Sequence, residues 1–391
     1  MYSLVINRYG SSDEANVSRL RQVALLQAMG GPANLGQARD LLKEQLQQSD
    51  GNSDDETLYQ VGWVLTDLGK TDDGMDRFKR LVQQYPDSKY WSDAAFRIAS
   101  QQIRDGEIEA ATAMAEAILE KQNASQEITV RTMLLKCQLA AKANDWPEVT
   151  QLMKQVKERI SGSSSMTSAS AIGSKATYWL AESLYQQEQY NKSSQEFAAI
   201  LDDTMLDTDL QPWVRLRLAQ CLGKLERWDD ATNVAEDGLI KFGDFSNAHE
   251  FTFVKARALE ARGMLDDAQE LYLDVIESDS GNGSETAAIA QWRIGETHFH
   301  RENYSIAIES YQKVDALYNY AQWKKAAILQ AGKCQEHLGN WKHAAKLYTQ
   351  LIEKFPESTM AMQAKERLAL IERLAKNPTQ PNSLFKAPKR R

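Results

Sequence analysis

Gln291-Trp-Arg-Ile-Gly-Glu-Thr-His-Phe-His-Arg-Glu-Asn-Tyr-Ser-Ile-Ala-Ile-Glu-Ser-Tyr311 and Ile328-Leu-Gln-Ala-Gly-Lys-Cys-Gln-Glu-His-Leu-Gly-Asn-Trp-Lys-His-Ala-Ala-Lys-Leu-Tyr348 are one pattern written twice, 37 residues apart. Gly295 falls on Gly332, Tyr304 on Trp341, Ala307 on Ala344 and Tyr311 on Tyr348. The pattern is a small residue, a large one nine positions later, a small one three beyond that and a large one after four more. A fixed period of this length marks an array of supersecondary units and changes every later inference. Working backward, the same places are held by Ala256, Leu265, Ala268 and Tyr272; Ala219, Trp228, Ala231 and Ala235; and Ala181, Tyr190, Ser193 and Phe197. Earlier still come Cys137, Trp146, Val149 and Met153; Ala99, Ile108, Ala111 and Ala115; Gly62, Thr71, Gly74 and Phe78; and a weaker set, Leu26, Leu35, Ala38 and Leu42. Nine units follow one another at steps of 36 to 39 residues, with one step of 44.

The spacing predicts two antiparallel helices per unit. Small residues belong where the two helices cross, because a longer side chain would hold the backbones apart. Gly69, Gly106, Gly263 and Gly339 stand where first helices should end, and Asp72, Asn191, Asp229, Asp266 and Ser305 where second helices should be capped. The array resembles the tetratricopeptide repeat family. That resemblance implies an all-α, right-handed superhelical solenoid of about nine helix-turn-helix repeats. Two unit endings, Phe78-Lys-Arg-Leu-Val-Gln-Gln-Tyr-Pro-Asp-Ser-Lys-Tyr90 and Tyr348-Thr-Gln-Leu-Ile-Glu-Lys-Phe-Pro-Glu-Ser358, are similar to a bacterial envelope subclass, that of the outer-membrane assembly lipoprotein and the Tol-Pal coordinator.

The expected organisation is a lead-in over 1–16, repeats one to four over 17–160, a Ser-rich flexible insert over 161–174 and repeats five to nine over 175–356. A capping helix over 357–376 closes the open end, as solenoids require, and a basic disordered tail occupies 377–391. The chain of 391 residues carries a net charge of −8; the five cations from Lys376 onward leave −13 on the body before them. An acidic body argues against nucleic acid as partner. The basic tail could touch an acidic surface. No uncharged stretch is long enough to span a bilayer, and no signal peptide is visible. The sequence as written therefore reads as cytoplasmic, and as periplasmic or envelope-associated should a leader precede Met1.

Catalytic chemistry finds no foothold in the sequence. His298 and His300 lie two apart on a helix and cannot share a metal as an i, i+4 pair could. His337 and His343 flank a turn, and His249 stands alone. Phosphate-binding loops and nucleophile elbows are missing, and Cys137, Cys221 and Cys334 suit a core better than a metal site. The expectation is a non-enzyme without cofactor or metal.

What remains is the inner surface. By the resemblance, first helices line it at three before, one after and four after the small residue. The candidate partner-binding residues are Tyr59, Trp63, Phe96, Tyr178, Glu182, Tyr185, Phe253, Arg257, Trp292, Glu296, Phe299 and Lys333. Glu260 and Glu336 fall at the same register. Aromatic anchors with interspersed charge suit capture of a peptide or helix, and Trp63 and Trp292 are the leading candidates. The function expected is a protein-binding scaffold or assembly factor. The alternative is a regulatory array belonging to a larger envelope or enzyme complex, whose catalytic or targeting part lies upstream or on another chain.

Overall fold

The computed structural model describes residues 2–3, 13–48, 54–67, 69–161 and 169–376. Among them are nineteen α-helices and no strand. They fall into two compact units that meet in sequence between Gln187 and Glu188. The first unit contains α1 (Asp13–Met29), α2 (Pro32–Gln48), α3 (Asp55–Asp67), α4 (Thr71–Gln84), α5 (Trp91–Asp105), α6 (Ile108–Glu120), α7 (Gln126–Lys142), α8 (Trp146–Ser161) and α9 (Ala169–Gln186). The second contains α10 (Tyr190–Ala199), α11 (Gln211–Lys224), α12 (Trp228–Lys241), α13 (Ala248–Ala261), α14 (Leu265–Glu277), α15 (Glu285–His300), α16 (Tyr304–Leu317), α17 (Ala321–His337), α18 (Trp341–Lys354) and α19 (Thr359–Lys376).

Within each unit every helix packs on its successor, and first helices also touch one another: α5 with α7 and α7 with α9 in the first unit, α11 with α13, α15, α17 and α19 in turn in the second. Within each unit these contacts set first helices side by side. Where first and second helices cross, the residues are small. Ala99, Cys137, Ala181, Ala219 and Ala256 on first helices and Ala111, Ala231, Ala268, Ala307 and Ala344 on second helices are fully buried. The three cysteines are buried thiols, and burial pushes that of Cys137 up to about 12. The closing helix is present as α19, which packs on α18 and α17.

The turn inside each hairpin is more uniform than the sequence. Its pivot has φ between 59° and 81° at Gly69, Gly106, Asn144, Glu188, Glu226, Gly263, Glu302 and Gly339. In seven of these turns the next residue's N–H reaches the carbonyl five positions back, as from Lys70 to Leu65 at 2.9 Å and from Arg227 to Leu222 at 2.9 Å. This is the Schellman closure, which satisfies carbonyls that a helix end leaves bare. It also corrects the expected caps. Second helices begin directly after the closure; the N-cap positions Lys70, Arg227 and Met264 use no side-chain cap, whereas Asp145 accepts from Glu148 N at 3.1 Å. Asp72, Asp229 and Asp266 sit in the first turn instead, where their charge faces the helix dipole. First helices use serine caps: Ser125 accepts from Ile128 N at 3.2 Å and Ser284 from Ala287 N at 3.0 Å.

Three of the left-handed pivots are glutamates, which bear a strain of about 1–2 kcal/mol that glycine escapes. Glu226→Gly relieves that strain, while the freer unfolded chain takes back about 0.4–1 kcal/mol. The expected result is a net gain of about 0.5–1 kcal/mol, read as a higher urea midpoint for the transition that includes α11 and α12. A lower midpoint would show that the Glu226 side chain itself holds the turn.

One boundary moved. Residues 169–174, expected inside the flexible insert, are the first turns of α9, and Ile172 is buried against the cluster of α7 and α8. Residues 162–168 of that insert, the lead-in over 4–12 and the basic tail from 377 lie outside the described residues.

Candidate docking surfaces

In the first unit the expected docking residues at the two ends of the first-helix layer are engaged or buried, and an open groove lies between them. On α3, the Arg97 guanidinium lies 3.3 Å from the centre of the Trp63 ring. Tyr59 stacks on Tyr90 at 4.6 Å and donates to Asp93 Oδ2 at 2.8 Å. Burial, reinforced by the Asp93 carboxylate, pushes the Tyr59 phenol up to about 12. Both rings are half-buried and already occupied by side chains 31 to 34 residues further on. On α9, Tyr178 and Glu182 are buried at 7% and 6% exposure; Tyr185 is half-buried.

Between these ends lies a groove of 520 Å³ that crosses three successive first helices. Phe96, Ser100, Ile103 and Arg104 come from α5, Arg131, Leu134, Leu135 and Gln138 from α7, and Ala171, Ile172, Lys175 and Trp179 from α9. Of the twelve residues expected to bind a partner, only Phe96 is here. Leu134 and Gln138 occupy the register positions three before and one after Cys137, so the rule that found Phe96 finds them too once it is applied to the fourth unit. Lys175 precedes the rule's positions on α9, which begins at Ala169, and Trp179 falls between them, one residue after Tyr178.

The inner layer of the second unit is closed by its own side chains. Glu260 on α13 receives Arg257 at 2.9 Å, Arg293 of α15 at 3.2 Å and the hydroxyl of Tyr272. Glu296 on α15 receives Tyr311 at 2.5 Å and Gln330 of α17 at 2.6 Å. Glu336 on α17, only 3% exposed in its side chain, receives Tyr348 at 2.7 Å and Arg367 of α19 at 2.5 Å. Each rung therefore ties a first helix to its own second helix through a tyrosine and to the next first helix through Arg or Gln. The phenols of Tyr272, Tyr311 and Tyr348 are driven far above the ordinary range, first by burial and then by the facing carboxylate. Lys333 lies beside the last rung, its pKa lowered by burial and next by Arg367.

The aromatic candidates of this unit pack in the same way. Phe253 lies 5.7 Å from the Tyr272 ring, and Trp292 packs on Trp323 at 5.7 Å, its indole Nε1 buried. Phe299 meets Tyr304 and His337 at 5.6 and 5.5 Å. Burial is also the main cause that lowers the pKa of His249, His298 and His337. Among the described residues no three His, Cys, Asp or Glu side chains gather as a metal site would need, and no helix is long and apolar enough to cross a membrane.

Comparison with known proteins agrees with the repeat. One model described as a tetratricopeptide repeat matches residues 56–88 and 326–358, and a second of the same description matches 216–285 and 253–321. Both describe the repeat without singling out an envelope subclass. No curated protein matches the sequence. Among solved structures, the apo form of RapI is similar over 92% of this chain and 98% of its own, at 9% identity and a TM-score of 0.52. A tetratricopeptide repeat protein from Parabacteroides merdae is similar over 71% of this chain and 98% of its own, at 13% identity and a TM-score of 0.46. At 9% identity the likeness to RapI is one of fold. The period, the hairpins closed at left-handed pivots and the two matching models converge on one statement: this chain contains tetratricopeptide repeats, matched over residues 56–88, 216–321 and 326–358.

Proposed function

We propose that the chain is a protein-interaction scaffold and that the α5–α7–α9 groove receives a segment of its partner. Tetratricopeptide repeats generally mediate contacts between proteins, and that much accompanies the repeat itself. The observation that carries the finer reading is the contrast between the two inner layers. The groove presents partly exposed Phe96, Leu134 and Trp179, whereas the carboxylates of the second unit already hold hydrogen-bond partners from their own repeats. Rigid neighbouring helices order the groove before a partner arrives, which lowers the entropic cost of association.

Buried aromatic anchors dominate such interfaces. Trp179→Ala is expected to weaken partner binding by about tenfold or more, close to 1.4 kcal/mol, with recovery measured quantitatively on the immobilised full chain. Trp292→Ala is expected to leave recovery unchanged, because Trp292 is engaged with Trp323. Loss with Trp292→Ala and none with Trp179→Ala would move the docking surface to the second unit and end this assignment.

A further inference from the structure

We propose that the occupant of the α5–α7–α9 groove is an acidic peptide segment, its carboxylates meeting Arg104, Arg131 and Lys175 and its apolar side chains seated on Phe96, Leu134 and Trp179. The proposal rests on the reading of this groove as a docking surface and names the partner's chemistry.

The charge of the groove is opposite to that of the chain. Net charge is −8 overall, yet the twelve lining residues include three cations and no carboxylate. Each cation comes from a different first helix, so the positive charge runs along the groove and is not a single point. Arg104 donates from Nε and Nη2 to Gln101 Oε1 at 3.0 and 2.6 Å, a neutral partner that orients the guanidinium without cancelling it. Arg131 is paired at 2.7 Å with Glu127, one turn back on α7. Arg104 and Arg131 are exposed and Lys175 half-buried, so their charged ends stand at the rim while the floor between them is apolar.

A cationic rim within an acidic body selects by sign. It attracts carboxylates locally, and the surrounding negative field repels anionic polymers that lack apolar anchors. Nucleic acid is the weaker fit, because its affinity is built from many Lys and Arg contacts to phosphates and the rim offers three cations. A second copy of the chain is a further occupant that the experiment separates.

A random-peptide library displayed against the immobilised full chain identifies occupants directly. The expected result is enrichment of Asp and Glu beside Leu, Phe or Trp. A fluorescein-labelled enriched peptide, followed by anisotropy, is expected to bind about tenfold or more weakly to Arg104→Gln/Arg131→Gln/Lys175→Gln. The same variant should lose most of the salt dependence, and Arg104→Lys/Arg131→Lys should restore binding. Trp179→Ala is expected to weaken binding while keeping the salt dependence. Circular dichroism checks that each variant folds; the glutamine changes fall on exposed or half-exposed side chains.

Enriched peptides that are neutral or basic, yet still depend on Trp179, would overturn the acidic-partner inference and leave the docking reading standing. Peptides indifferent to both sets of changes, or no enrichment over the glutamine variant, would remove both. Binding of a 20-nucleotide single strand that is lost in the glutamine variant would reassign the rim to nucleic acid. Self-association in sedimentation that the same variant abolishes would reassign it to a second copy.

Discussion

Asp202→Ala combined with Asp237→Ala is expected to destabilise the second unit by about 3–5 kcal/mol, the cost of leaving a buried charge without its partners. Arg215 on α11 is the charge in question. Its side chain is 3% exposed and reaches Asp202 Oδ1 and Asp237 Oδ2 at 2.8 Å each, with Nη1 donating to the Leu201 carbonyl at 3.0 Å. The guanidinium also lies 5.2 Å from the Phe242 ring. It thereby joins α11 to the segment after α10 and to the end of α12. Its partners are far less buried, at 74% and 39% exposure, so the burial is one-sided. That asymmetry predicts an order of effects. Arg215→Met removes the buried charge and returns two exposed carboxylates to water, so it should fall within about 1 kcal/mol of the native chain. Urea unfolding together with amide exchange in α11 and α12 would measure both. A methionine variant as damaged as the double alanine would show that packing by the guanidinium stem, and not its charge, is what the site needs.

The same cluster sets a pH dependence. Burial would raise the Asp237 carboxyl, but hydrogen bonds from Arg215 and Lys241, with their charges, hold it below the ordinary aspartate range. A carboxylate depressed by folding contributes stability above its unfolded pKa, and that contribution is lost as pH falls through the lower folded value. The double alanine variant should therefore lose less stability than the native chain between neutral and acid pH.

The array was legible because its period is written in residues that have a steric reason to recur. Gly62, Gly295 and Gly332 mark helix crossings, and Gly69, Gly106, Gly263 and Gly339 mark left-handed pivots. Glu188, Glu226 and Glu302 occupy the same pivots without a local signal, since nothing about glutamate announces positive φ. Their position is legible only by register with the glycine turns. The inner face misled for a different reason. Trp63, Glu260, Glu296 and Glu336 have the composition of a docking surface, but their partners Arg97, Arg293, Gln330 and Arg367 lie one repeat onward in sequence. A reading made unit by unit takes such side chains as unpaired. Searching for an Arg or Gln some 30 residues after each inward acid would have found the ladder and turned attention to the first unit.

Gly332→Ala is expected to destabilise the chain by about 1–2 kcal/mol alone and to stabilise it in a Tyr348→Leu background. Alanine should favour α17 by about 1 kcal/mol over glycine, so a loss requires a specific obstacle. The obstacle is the Tyr348 ring, whose Cε1 lies within contact of the place a Gly332 Cβ would take; Gly295 meets Tyr311 at 2.5 Å and Gly62 meets Phe78 at 2.7 Å in the same way. Tyr348 is fully buried and its hydroxyl is fixed to Glu336, so the ring cannot swing aside without giving up that bond. Overpacking of this kind costs about 1–3 kcal/mol, and the lost hydrogen bond about 1 kcal/mol. Leucine at 348 removes both obstacles, so the alanine keeps only its helical advantage, and the cycle should show a coupling of about 2–3 kcal/mol. The native chain contains the counter-case. Ala256 holds this register opposite Tyr272, both fully buried, with the Tyr272 hydroxyl on Glu260. There the α13–α14 hairpin is set to accept the methyl group, so the cost at Gly332 is that of moving α17 and α18 apart against α16 and α19. A single Gly332→Ala change with an unaltered urea midpoint would mean that the α17–α18 hairpin relaxes freely to the α13–α14 geometry, and close approach would no longer explain why glycine stands there.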